Sequence, residues 1–323
     1  MQPIRGIHHI TAIASSPQAN LDFYHGLLGQ RLIKRTVNFD DPGSYHLYYG
    51  DEVGSPGTIM TFFAWPGARR GTVGNGEIGA SAYAINPASL GYWQERLADH
   101  GVSVGELQTR FGGAVLPFRD PDGMMLELIV DDHAEAPRLW ANGPIPAEHA
   151  LAGFHGVTLF VGEAGRSARL LVEQMGYRLA GQEGPRWRFK ANGDAVGGYV
   201  DLLERPGLSG GRMGAGSHHH VAFRVRDDAE EVEYQQGLRV AGFDVTPVRD
   251  RQYFHSIYWR EPGGVLFEIA TDPPGFTWDE TVEQLGSGLK LPPWLEQQRD
   301  AIQRTLLPIA VKSATEGKIH AGA

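Results

Sequence analysis

Four glycine-led, strand-like runs recur along the chain: residues 6–13 (GIHHITAI), 79–85 (GASAYAI), 153–160 (GFHGVTLF) and 216–223 (GSHHHVAF). Each leads into a helix-like stretch, at 17–28, 87–100, 165–175 and 228–241. In the first of these Leu21, Tyr24, Leu27 and Leu28 fall at helical spacing. Each stretch stops at a glycine (Gly29, Gly101, Gly176 or Gly242), the residue that takes the left-handed C-terminal cap. A strand is expected next, at 31–34, 102–104, 177–179 and 243–245, and two more strands complete each unit. In the first unit those are 45–49 and 58–63, and units two and four close alike, FRDPDGMMLEL at 118–128 against WREPGGVLFEI at 259–269. The order is βαβββ, four times, in two pairs. Self-similarity of this kind decides fold class before any single residue does.

The expected division is a domain over 1–132, a proline-bearing linker over 133–152, a second domain over 153–275, and an extension over 276–323. In the extension, LPPWLEQQRDAIQRTLL at 291–307 reads as a helix with Leu295, Ile302, Leu306 and Trp294 on its apolar side, packing across the domains. The residues from Lys312 onward are expected to be mobile.

Composition narrows the function classes. Hydrophobic content of 41% and charged content of 21% suit a globular protein. No apolar run is long enough for a membrane helix, and the start of the chain carries no signal-peptide pattern. The net charge of −9 and the lack of a basic cluster argue against nucleic acid and anionic membrane as partners. With no cysteine there is no disulfide or thiolate metal site, which suits the cytoplasm. A small molecule is the expected ligand; self-association into a homo-oligomer stays open.

Two strands carry chemistry in core-like runs. Glu268 sits within Leu-Phe-Glu-Ile-Ala, where a buried carboxylate needs a partner. A divalent cation is one such partner, and imidazole is the neutral ligand most often found beside it. The alternative is a hydrogen-bonded glutamate in a barrel lumen. His9 shares a strand face with Thr11; His218 and His220 share another, with His219 opposite.

The four βαβββ units, together with GIHHITAI at 6–13, TVNFDDPGSYHLYYGD at 36–51, GAGSHHHVAF at 214–223 and LPPWLE at 291–296, resemble the vicinal-oxygen-chelate superfamily over nearly the whole chain. Its hydroquinone-cleaving dioxygenase branch is the nearest in pattern. The resemblance implies an α+β vicinal-oxygen-chelate fold of four βαβββ modules in two paired domains, plus a C-terminal helical extension. It implies a metal held by His9, His220 and Glu268, in a cup closed by units one and four. Arg251 and Tyr258 are then implied to face the substrate, and His8 and His219 to serve as outer groups beside the ligands; Thr11, on the same cup, is counted with them as a substrate-orienting group.

Units two and three offer Ala82 and Gly156 at the position matching His9, with Glu127 and Glu204 as carboxylates, so that cup is expected to hold no metal and Glu127 to have hydrogen bonds of its own. Unit one offers only Met60-Thr61-Phe62-Phe63 where a fourth ligand would come. Isomerases of the superfamily generally close their metal with such a ligand. Two histidines and one carboxylate leave adjacent positions open, the arrangement associated with non-haem Fe(II). The expected activity is therefore Fe(II)-dependent cleavage of a hydroquinone or related aromatic diol by O2, with Mn(II) as the other candidate metal. The competing readings are a glyoxalase-like isomerase or thiol transferase, and a metal-free module that binds drugs or quinones.

Overall fold

The computed structural model describes residues 1–134, 138–193 and 196–311; the expectation about the last dozen residues lies outside these. Unit one consists of β1 (Ile7–Ala14), β2 (Arg31–Asn38), β3 (Asp41–Gly50) and β4 (Ile59–Ala64). Unit two has β5 (Glu77–Ile85), β6 (Gln108–Arg110), β7 (Gly113–Arg119) and β8 (Met125–Val130). Unit three has β9 (Phe154–Val161), β10 (Arg178–Glu183), β11 (Arg186–Lys190) and β12 (Tyr199–Glu204). Unit four has β13 (His218–Val225), β14 (Arg249–Asp250), β15 (Phe254–Arg260) and β16 (Leu266–Pro274).

The units pair across the chain. One eight-stranded sheet runs β14-β15-β16-β13-β1-β4-β3-β2 and the other β10-β11-β12-β9-β5-β8-β7-β6. Units one and four thus share a sheet through the antiparallel β1–β13 pair, and units two and three through β5–β9. Each half of the sequence contributes to both sheets.

The first strand of each unit is covered on both faces, and all eight residues of β1 are buried. Ile10 and Ala12 join the main hydrophobic core with Val221, Phe223 and Ile269, while His9 and Thr11 alternate with them on the concave side. The helices are α1 (Pro17–Leu21), α2 (Leu90–Asp99), α3 (Gly165–Arg169) and α4 (Asp228–Val240). The glycines that end them have φ of 69°, 65°, 74° and 91°. In units one and three the helix widens into a π-helical turn, Asp22–Leu27 and Leu170–Gln174, which the sequence pattern did not indicate.

The strands expected at 102–104 and 243–245 do not form. At 102–105 the chain makes only an isolated bridge to β7, with Gly105 N–H to Pro117 O at 2.7 Å and Arg119 N–H to Ser103 O at 3.0 Å; at 243–246 Thr246 N–H meets Tyr258 O at 3.0 Å, and named strands resume at β6 and β14. In unit four Pro247 has no N–H to continue a ladder.

In the extension, a 3₁₀ turn (Pro293–Gln298) leads into α5 (Arg299–Thr305). Leu295, Ile302 and Leu306 are buried as expected, but Trp294 is half exposed and meets Phe39 edge-on. The helix lies against β3 of unit one. The segment before it is anchored by Lys34, which is fully buried on β2. Lys34 Nζ donates to Phe276 O at 3.1 Å and to Asp279 Oδ1 at 2.6 Å, and also to Glu280; Tyr253 of unit four donates to Asp279 Oδ2 at 3.1 Å. Removing one member of a buried ion pair leaves the others desolvated and uncompensated. Lys34→Met is expected to lower the unfolding free energy by about 3–5 kcal/mol, read as a fall in the urea midpoint. A midpoint within error of wild type would show that this anchor contributes nothing to stability.

Candidate active site

His9 on β1, His220 on β13 and Glu268 on β16 meet at the centre of the cup formed by units one and four. Thr11 stands opposite His220, His9 opposite Ala222, and Ala222 opposite Glu268. That register turns all three side chains to the concave face. Glu268 Oε2 lies 2.8 Å from His220 Nε2 and 3.3 Å from His9 Nε2, and the two nitrogens are 3.3 Å apart. All three residues are buried, Glu268 completely.

Neither oxygen of Glu268 has a partner in hydrogen-bond geometry. A fully buried carboxylate in that state is costly unless a cation compensates it. The donor spacings would fit an ion with bonds of about 2.0–2.2 Å. Among the described residues, these three form the one group of histidine and acid side chains able to hold a metal ion. Burial alone would raise the Glu268 pKa, but His9 and His220 outweigh it and hold the carboxyl well below its usual range. Burial lowers the His220 pKa, against the opposing pull of the Glu268 carboxylate.

His8 and His219 stand behind the ligands in a matched way. A register shift in β1 brings His8 Nδ1 to 2.9 Å from His9 Nδ1, and a second shift, facing β13, brings His219 Nδ1 to 2.8 Å from His220 Nδ1. In the tautomer that leaves Nε2 of His9 and His220 as an acceptor toward the centre, Nδ1–H of each would donate to its neighbour and hold the ring. Burial, with the adjacent histidine adding to it, pushes the His8 pKa well down and that of His219 to about 3.

Thr11 and Thr61 face each other, their hydroxyls 3.2 Å apart. By the pairing of β1 with β4, Thr61 occupies in unit one the place Glu268 occupies in unit four. The fourth-ligand position therefore holds a threonine hydroxyl. It contacts His46 Nε2 at 2.6 Å, and His46 Nδ1 lies 3.0 Å from the Tyr48 hydroxyl. His46 is pushed well below its usual pKa by burial, with the charges of His9 and Arg251 next. His46, Tyr48 and Thr61 belong to the cup and were not foreseen from the sequence. The signal was present: His46 and Tyr48 alternate along a strand, sharing one face as His9 and Thr11 do.

Arg251 and Tyr258 come together on the unit-four side. Arg251 Nε donates to the Tyr258 hydroxyl at 3.1 Å, and Ser256 donates to the same oxygen at 3.0 Å. Arg251 Nη1 pairs with Asp40 Oδ2 at 3.1 Å. Tyr258 stands opposite Glu268 across the β15–β16 ladder, its ring 5.7 Å from that of His220. Having accepted two hydrogen bonds, its oxygen keeps its own proton to donate. Burial and then the Glu268 charge raise its pKa, so the phenol stays protonated at neutral pH. His218 does not reach this cup; it bonds Ser81 Oγ at 3.0 Å and Ile78 O at 3.1 Å on β5.

The cup of units two and three is built differently from the sequence expectation. Ala80 stands opposite Thr158 as His220 stands opposite Thr11, so Ala80 and Gly156 take the histidine places, and Ala82 does not. Glu127 matches Glu268, but its counterpart in unit three is Asp201, paired with Thr158, and not Glu204. Glu204 instead accepts from the Ala164 N–H at 2.8 Å. Glu127 is held by Arg110 through both guanidinium nitrogens, at 2.8 and 3.0 Å.

A paired βαβββ fold with a buried His-His-Glu group able to hold a metal ion has the architecture of the vicinal-oxygen-chelate class. The chain belongs to the Glyoxalase/Bleomycin resistance protein/Dioxygenase superfamily, whose family model matches residues 6–128 and 153–269. It is 46% identical over 307 residues to "Putative ring-cleaving dioxygenase MhqO" of Bacillus subtilis, covering 95% of this chain and 97% of that one. It is 38% identical over 315 residues to the "Chlorohydroquinone/hydroquinone 1,2-dioxygenase" of Sphingobium indicum, covering 94% and 96%. The crystal structure of a "putative dioxygenase" from Bacillus subtilis superposes with a TM-score of 0.93 at 45% identity, covering 97% of this chain and all of that one. Glyoxalase I from Zea mays shares the fold, with a TM-score of 0.62 at 16% identity over 83% and 92% of the two chains.

Proposed function

We propose that the protein is an Fe(II)-dependent ring-cleaving dioxygenase that opens a hydroquinone or related aromatic diol with O2. The observation that carries this reading is the ligand set: two histidines and one glutamate, with Thr61 in the place of a fourth ligand. A three-ligand site leaves adjacent positions for substrate and dioxygen, whereas a closed four-ligand site favours isomerase chemistry. The relatives named as ring-cleaving dioxygenases support the same assignment. His9, His220 and Glu268 would hold the metal, with Fe(II) favoured over Mn(II). When bound, iron supplies the redox partner that lets dioxygen react with an aromatic diol.

The chain's own contribution is order and proton handling. His8 and His219 would hold the ligand imidazoles in one tautomer. Tyr258, polarised by Arg251 and Ser256, would donate a hydrogen bond to substrate oxygen and stabilise charge developing there. His46, neutral and linked to Thr61 and Tyr48, is placed to take or return a substrate proton. The reaction centre would be served by units one and four together, so that 1–132 and 153–275 each contribute one unit to it. The lack of cysteine fits a cytoplasmic setting.

A catechol offers two adjacent oxygens to a metal and a para-hydroquinone only one, so the remote hydroxyl of a hydroquinone must be positioned by protein. This cup supplies several groups for that task in Thr11, His46, Tyr48, Arg251 and Tyr258. Oxygen uptake by iron-replete enzyme is therefore expected to be faster with a substituted para-hydroquinone than with the corresponding catechol. A clear preference for the catechol would keep a dioxygenase and discard hydroquinone specificity.

A further inference from the structure

The cup of units two and three is filled by arginines where the other cup gathers its proposed metal ligands. Alanine and glycine stand in the histidine places, and both carboxylate places are acidic. Arg110 pairs with Glu127, and Arg188 pairs with Asp201 through Nε and Nη2 at 2.8 and 2.9 Å. Each is a two-point guanidinium–carboxylate contact that satisfies both partners. Arg186 is the third guanidinium, and no third carboxylate answers it. Its Nη1 serves Thr158 Oγ1 at 2.8 Å and shares Asp201 Oδ2 at 3.1 Å. Among the described residues its Nε and Nη2 have no partner, and neither is sealed from solvent. Burial, and then Arg110, lower its pKa, the sign of a cation short of negative charge.

Arg110, Glu127, Thr158 and Arg186 line a cavity of about 790 Å³, large enough for a small organic molecule. Its apolar wall includes Pro117, which stands opposite Glu127, and Phe160. Its lining carries four arginines, Arg70, Arg110, Arg119 and Arg186, against three acids, Glu106, Asp122 and Glu127, so positive charge is in excess. In a protein with a net charge of −9, a cationic floor beneath an apolar wall selects for a particular ligand.

We propose that this second cup binds a small organic carboxylate, its anionic head on the free donors of Arg186 and its apolar body along Pro117 and Phe160. A planar fork with two unused N–H groups matches a carboxylate in two-point geometry. Resting on the proposed function, one source suggests itself. Opening an aromatic diol beside a hydroxylated carbon, with one atom of O2 delivered to each broken end, converts that carbon to a carboxyl and its neighbour to a carbonyl. The product carries the anion that the uncharged diol lacks.

Calorimetric titration of the full-length protein with sodium benzoate tests the proposal without turnover. One equivalent is expected to bind, with equal affinity in wild type and in His220→Ala, which disables the other cup. Arg186→Met is expected to weaken it at least tenfold, Arg186→Lys less, and benzamide, without the charge, at least tenfold relative to benzoate. Absence of benzoate binding, equal affinity in Arg186→Met or for benzamide, or loss in His220→Ala would each overturn it. If Arg186→Met does not fold, the benzamide and His220→Ala arms still decide. Competition between benzoate and the ring-opened product identifies the product as occupant; its absence assigns the site to another carboxylate and leaves the dioxygenase reading untouched.

Discussion

Glu268→Ala is expected to fold and to lose both its metal and its turnover. Glu268 is the only anion among the three proposed ligands, and its carboxylate has no other compensating hydrogen bond. Replacing partners one shell further out typically costs 10–100-fold in metal affinity. Loss of the anionic ligand itself is expected to exceed about a hundredfold, leaving under a tenth of an equivalent after gel filtration under anaerobic conditions. Elemental analysis beside circular dichroism separates metal loss from unfolding. Glu127→Gln is the internal control, since Glu127 holds the matching strand position but faces Arg110, and it is expected to keep metal and activity. Full metal occupancy in Glu268→Ala would remove the centre from this cup.

Tyr258→Phe is expected to show the second-largest effect, with the opposite metal signature. Its ring stays packed beside His220, but the proton held ready by Arg251 and Ser256 is gone. Loss of one positioned hydrogen-bond donor to developing negative charge costs about 10²–10³-fold, so kcat is expected to fall in that range while metal content matches wild type. Arg251→Met is expected to follow with a smaller loss, since Ser256 still orients the phenol. Steady-state oxygen consumption on metal-quantified protein reads both. Metal loss in Tyr258→Phe would make the residue part of the centre's scaffold and not a group acting on substrate.

Much of this arrangement was legible from residues alone, and the reasons are specific. Glycine-led openings and helix-ending glycines fix the units because few residues accept those backbone angles. The carboxylate within Leu-Phe-Glu-Ile-Ala stands out because an apolar strand rarely tolerates one. What could not be read depends on register. The displaced residues at His8 and His219 move each onto its neighbour's ring, and no periodicity announces them. The same cause misplaced the second cup, where counting from Gly79 selects Ala82 and pairing selects Ala80. Asp201 was passed over for Glu204 because only the β9–β12 ladder says which acid faces inward. Arg110, Arg186 and Arg188 lie on edge-ward strands with little sequence signature, so their convergence emerges only in three dimensions. His46 lay within a motif noted for its length, and its role depends on Thr61, a residue from the next strand.

The central claim is that this cup inserts dioxygen into an aromatic diol. Its most direct test is a single turnover of iron-loaded enzyme with a para-hydroquinone under ¹⁸O2, with mass spectrometry of the ring-opened product trapped before its carbonyl exchanges with water. Both labelled atoms are expected in one product molecule, with one O2 consumed per ring opened and no reaction under nitrogen. Product formed at full rate without O2, or ring-opened product carrying label from ¹⁸O-water in place of the gas, would contradict the account.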